Sequence, residues 1–130
     1  MTFLDIDVSD AQEARAVPGD EEYNLRIVSI DQKDDKNGLP YILPRFEVPA
    51  EPTSKEFTKF IRLPYDGMSA KDLNKCKWAL KSFFEAFNIP LVGERNWDDY
   101  LGNEGWAILG FEETDEWGEQ NFVRKFIGPK

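Results

Sequence analysis

The sequence contains no histidine and one cysteine, Cys76. A lone cysteine cannot close an internal disulfide. Without histidine, the common zinc sets and the Ser-His-Asp and Cys-His catalytic arrangements lack a member. No apolar run approaches the roughly 18 residues of a membrane span. The opening, "MTFLDIDVSD", is acidic and lacks the basic start of a secretory signal. These absences set an intracellular, non-membrane protein without metal or cofactor as the expectation. Positive charge is also scarce: 16 Lys and Arg stand against 25 Asp and Glu, a net −9. As a sum this argues against nucleic acid, whose phosphates are met by cations that displace counterions. Catalysis fares no better. The pairs Asp34-Asp35, Asp98-Asp99 and Glu112-Glu113 resemble acid/base or metal carboxylates. Adjacent acids on a strand point to opposite faces, however, and no nucleophile motif or Gly-rich phosphate loop accompanies them. A non-catalytic protein is expected.

What is present is a core and many rings. The chain has 130 residues, enough for one domain, with 10 Phe and 4 Trp. Its acidity is uneven. Residues 1–22 hold seven acids (Asp5, Asp7, Asp10, Glu13, Asp20, Glu21, Glu22) against Arg15 alone, whereas residues 55–87 hold seven bases against four acids. The middle of the chain therefore permits anion binding.

Residues 1–22 read as an acidic arm, ending in the breaker cluster "AVPGDEEY". A domain follows over 23–130. "YNLRIVSIDQK" alternates as a strand, and "DDKNG" turns on Asn37-Gly38. "YILPRFEV" is a second strand, in which Pro44 implies an edge position or a bulge. "KEFTKFIRLP" is a third. The period then changes. Leu73, Cys76, Leu80, Phe83, Phe84 and Phe87 form one stripe on a helix, started by Ser69 and ended near Asn88 and Pro90. "GWAILGFEET" and "NFVRKFIG" supply a fourth and a fifth strand around the loop "DEWGEQ". Five strands with one α-helix between strands 3 and 4 is the order of the OB-fold, a mainly β, five-stranded Greek-key barrel. An α+β sandwich would also accommodate this order.

Such barrels bind through strands two and three and the loops joining strands 1–2 and 4–5. Sorted by parity, Ile42, Phe46 and Val48 face the core, and Tyr41 and Arg45 face out. On strand three, Phe60 and Arg62 share the polar face and Lys59 is a misfit on the apolar one. Two rings interleaved with two guanidiniums suit single-stranded nucleic acid, whose bases stack on aromatic faces. Packing against a loop or a partner chain is the ordinary explanation of such rings. Trp117, at the tip of the 4–5 loop, could clamp a base or fold back on the barrel. Lys33 and Lys36 could reach phosphate, yet Asp31, Asp34 and Asp35 beside them fit an ordinary solvated turn.

The segment "VPGDEEYNLRIVSIDQKDDKNGLPYILPRFEV" resembles the opening of a phage-encoded family of OB-fold, single-stranded-DNA-binding-like proteins. The match is carried by Pro18-Gly19, Tyr23, Lys33, Lys36, Asn37-Gly38, Tyr41, Phe46 and Val48. Leu101-Gly102 and Asn121 extend it toward the C-terminus. The chain departs from many single-strand binders in ending "NFVRKFIGPK", which is basic where they carry an acidic tail. The resemblance implies support of replication or recombination in the cytoplasm of a phage-infected bacterium. Together, residues and resemblance set single-stranded DNA as the expected partner. Lys33, Lys36, Tyr41, Arg45, Lys59, Phe60, Arg62 and Trp117 are the candidate contacts. RNA, replication or recombination proteins and a second copy of the chain are further candidate partners, and a protein-interaction module on the same barrel is the alternative function.

Overall fold

A computed structural model describes residues 5–128. The first strand, β1 (Glu21–Asp34), buries Leu25, Ile27 and Ile30. Its alternation slips once, where a bulge shifts the register against its neighbour between Ile27 and Ser29. A bulge of this kind sharpens the local twist. Asn37-Gly38 turns the chain as its residue types require, with Gly38 at φ 78. Strand β2 (Pro40–Glu47) then buries Ile42, Pro44 and Phe46 and directs Tyr41, Leu43 and Arg45 to the opposite face.

Pro44 is not at an edge. β2 lies inside the sheet, and the proline's effect falls on its partner instead. β3 (Phe57–Thr58) pairs with Phe46 and Arg45, and β4 (Ile61–Arg62) pairs with Ile42 and Tyr41. Between them the Lys59 N–H reaches the Pro44 carbonyl at 3.1 Å, but proline has no N–H to return. The ladder lapses there. The single third strand expected over residues 55–63 is therefore two short ones, and the sheet has six strands rather than five.

Helix α1 (Ala70–Ala86) starts at Ser69, whose hydroxyl accepts the Asp72 N–H, and ends with Asn88 at φ 58. Its expected stripe is the buried one, although Leu73 is only half covered. Burial pushes the Cys76 thiol above its usual pKa, and the thiol donates to the Arg62 carbonyl at 2.8 Å. Cys76 is a packing residue. A short 3-10 turn (Trp97–Tyr100) leads into β5 (Glu104–Thr114) and β6 (Gly118–Ile127). The tip of this last hairpin is tighter than the sequence suggests, because Gly118 already begins β6.

All neighbouring strands are antiparallel, in the order β3–β2–β1–β5–β6, with β4 also on β2. The sheet curls until β3 lies near β6, giving a half-barrel whose open side is filled by α1. Four rings form the centre: Phe46 of β2, Phe83 of α1, Phe87 just after it, and Phe126 of β6. Every pair among them has centroids 5.3 to 6.0 Å apart. Gly105 lets β5 approach the helix end, since a Cβ there would collide with the Ala86 carbonyl. No helix among the described residues is long and apolar enough to cross a membrane.

Phe46→Ala should destabilise the fold by about 3–5 kcal/mol, the usual loss for a fully buried phenylalanine. Urea unfolding followed by circular dichroism measures this directly. A loss under about 1 kcal/mol would mean the four-ring centre does not hold the sheet to the helix.

Candidate functional site

The outer face of β1, β2, β3 and β4 is built by register. Ser29, Arg45 and Thr58 lie opposite one another across three strands, as do Lys33, Tyr41 and Arg62. Residues directly opposite in an antiparallel pair share a face, so these side chains stand on one surface. Phe60, in the gap between β3 and β4, joins the second row. Its ring stacks on Tyr41 with centroids 4.8 Å apart and planes 30° from parallel, and it remains 51% exposed. Such a pair contributes about 0.5–1.5 kcal/mol beyond area burial, yet it leaves much of the Phe60 surface open to a third flat group.

Arg62 has a different position from the one expected of a phosphate contact. Its guanidinium donates to the Leu39 carbonyl at 3.0 Å, the Pro40 carbonyl at 3.2 Å and Asp35 Oδ2 at 2.9 Å. The same group lies 5.0 Å from the Phe60 centroid. Arg62 thus ties the β1–β2 turn to β4 and backs the ring pair. Asp35 completes the tie, accepting the N–H groups of Asn37 and Leu39 on Oδ1. The Leu39 N–H above all holds the Asp35 carboxyl below its usual pKa, with the Asn37 N–H and the Arg62 guanidinium adding to it. Lys33 and Lys36 are exposed on either side of Asp34 and Asp35 in this hairpin.

A second group forms farther along the face. Arg45, Thr58 and Trp117 line a recess of about 370 Å³ together with Lys55, a residue the sequence reading left out. Lys55 Nζ donates to the Trp117 carbonyl at 3.0 Å and the Glu119 carbonyl at 3.2 Å, clipping the β5–β6 tip to the segment before β3. Trp117 does not fold back into the core: it is 62% exposed. Arg45 is exposed and pairs only distantly with Glu56, at 3.9 Å. Lys55 lay within reach of the sequence reading, being the first base after the breaker run "PAEPTS". Its carbonyl partners, however, lie more than 60 residues away.

Lys59 stands apart from both groups. It lines a recess between α1 and β6, where Trp78 is exposed. The expected contacts therefore divide into a ring platform (Lys33, Tyr41, Phe60, Arg62), a recess (Arg45, Trp117), the exposed turn residue Lys36, and Lys59 in the recess between α1 and β6. Compared with known proteins, the chain matches no family model and no curated protein.

The Asp35 tie predicts an acid effect. A carboxyl whose folded pKa is depressed stabilises the fold above its unfolded value, and that contribution is lost as pH falls through the folded value. Below about pH 4, wild-type melting temperature should thus drop more steeply than that of Asp35→Asn. Parallel acid limbs in the two melting curves would contradict the assignment.

Proposed function

We propose that the chain is a non-catalytic single-stranded-DNA-binding protein that takes bases on the Tyr41–Phe60 platform. The observation that carries this reading is the stacked, half-exposed ring pair standing on the same outer face as Arg45. An unpaired base can add to such a stack at about 1–3 kcal/mol regardless of its identity, so little sequence preference is expected. Arg45 and Lys33 flank the rings as phosphate contacts, and Trp117 offers a second stacking surface beside Lys55. Arg62 holds the platform in place from behind.

The half-barrel is read here as an OB-fold. Three features support this: β1 pairs with both β2 and β5, α1 falls between the third-strand pieces and the last hairpin, and β3 curls to meet β6. The face used is then the one such barrels commonly use. The segments quoted above extend the proposal to a phage protein supporting replication or recombination in the host cytoplasm. Protein docking on the same face is the second reading, favoured by one observation: Arg62 and Arg45 already have acidic partners.

Anisotropy of labelled oligo-dT separates the two. Affinity should be measurable at low salt and fall with a log–log slope of about −0.7 per phosphate contact. Phe60→Ala should weaken it by about 1–3 kcal/mol while lowering the melting temperature only modestly, by the few degrees that losing the half-exposed stack would cost. No binding at tens of micromolar, or a large melting drop in Phe60→Ala, would remove the proposal.

A further inference from the structure

The half-barrel leaves a seam where its two edges fail to pair. There α1 and β6 bound a recess of about 400 Å³, lined by Lys59, Trp78, Lys81, Arg124 and Lys125, with Glu85 the one carboxylate among the described residues that line it. In a chain of net charge −9, four cations against one acid is a local reversal of sign. Two of the four have partners. Lys81 lies 3.8 Å from Glu85 and Arg124 lies 3.0 Å from Asp20, both on exposed or half-exposed side chains. Such pairs are worth little and exchange readily for another anion.

Trp78 is 67% exposed and presents an open indole face to the recess. The Lys81 ammonium sits 5.9 Å from its ring centroid. The recess therefore combines an open aromatic face with several cations. That pairing fits a ligand that is itself part flat ring and part anion. A purely acidic peptide would use the cations and leave the indole bare.

The seam is also continuous with the ring platform. Side chains alternate along the third-strand segment, so consecutive residues face different surfaces. Phe60 faces Tyr41, and Lys59 lines the recess beside Trp78. A strand leaving the Phe60 ring over the sheet edge meets Lys59 next. We propose that the α1–β6 seam is a second contact surface for single-stranded nucleic acid, with Trp78 stacking a base and Lys59, Arg124 and Lys125 receiving phosphates. This rests on the DNA-binding reading above and lengthens the bound strand beyond the platform.

The test compares oligo-dT of about four and about twelve nucleotides, lengths spanning the lower and upper range of single-barrel sites. Trp78→Ala should weaken binding of the longer strand about five- to hundredfold and leave the shorter, platform-bound one unchanged. Phe60→Ala should weaken both. Lys59→Gln combined with Lys125→Gln should flatten the salt slope for the longer strand by about 1.4, two phosphate contacts' worth. Because these side chains line an open recess, melting temperatures should stay near wild type, which guards against misfolding. If the seam variants bind the longer strand as wild type does, the seam proposal is wrong and the platform stands. If wild type binds neither length, the platform reading fails and takes the seam with it.

Discussion

Contact among Phe46, Phe83, Phe87 and Phe126 is what the rest of the structure depends on. The edge strands of the curled sheet lie near each other without forming a ladder, so hydrogen bonding does not close the barrel. Closure comes from rings. One phenylalanine from β2, two from the helix region and one from β6 meet in six mutual contacts, each adding a modest geometric preference to a large apolar burial. With α1 seated as the plug, the inner faces of β2 and β6 are consumed by the core. Their outer faces are left to solvent, and the proposed contact surfaces stand there and at the seam.

On the proposed reading, an acidic protein that binds an anion must keep its negative charge away from the contact, or let other forces carry the affinity. The structure bears on both. The end of the acidic arm is fixed: Asn121, buried, accepts the Val17 N–H and donates to the Val17 and Gly110 carbonyls. Arg15 pairs with Glu119 at 2.7 Å. This anchoring sets Glu13 in a recess with Lys55 and Trp117, so an incoming phosphate meets negative charge at that end of the face. Stacking, which salt screens little, is accordingly the stronger component of the proposed contact on the platform. Cations dominate only at the seam, across the sheet edge.

Much of this was legible in the residues. Period-two alternation set Phe46 inward and Tyr41 and Arg45 outward, the helix stripe named the plug, and Asn37-Gly38 located the hairpin. Phe60 and Arg62 fell on the same face by simple parity. What could not be read was long-range. Asp35 captures Arg62 across 27 residues of sequence, converting an apparent phosphate contact into a brace. Pro44 was visible as an irregularity, but its consequence falls on a different strand, because a missing N–H is felt by the partner that would have accepted it. Lys59 looked like a misfit on an apolar face. It does lie on that side of the strand, where it lines the seam instead of joining the core. Trp78 lies off the buried helix stripe, and its exposure follows from that place.

The central claim is that unpaired bases stack on the Tyr41–Phe60 rings. Amide and aromatic chemical shifts recorded by NMR during titration with oligo-dT test it without any substitution. The account predicts the largest changes in the Tyr41 and Phe60 ring signals and in the backbone amides of Leu43, Arg45 and Thr58. A titration that leaves those signals still while shifting others, or shifts none, would contradict it.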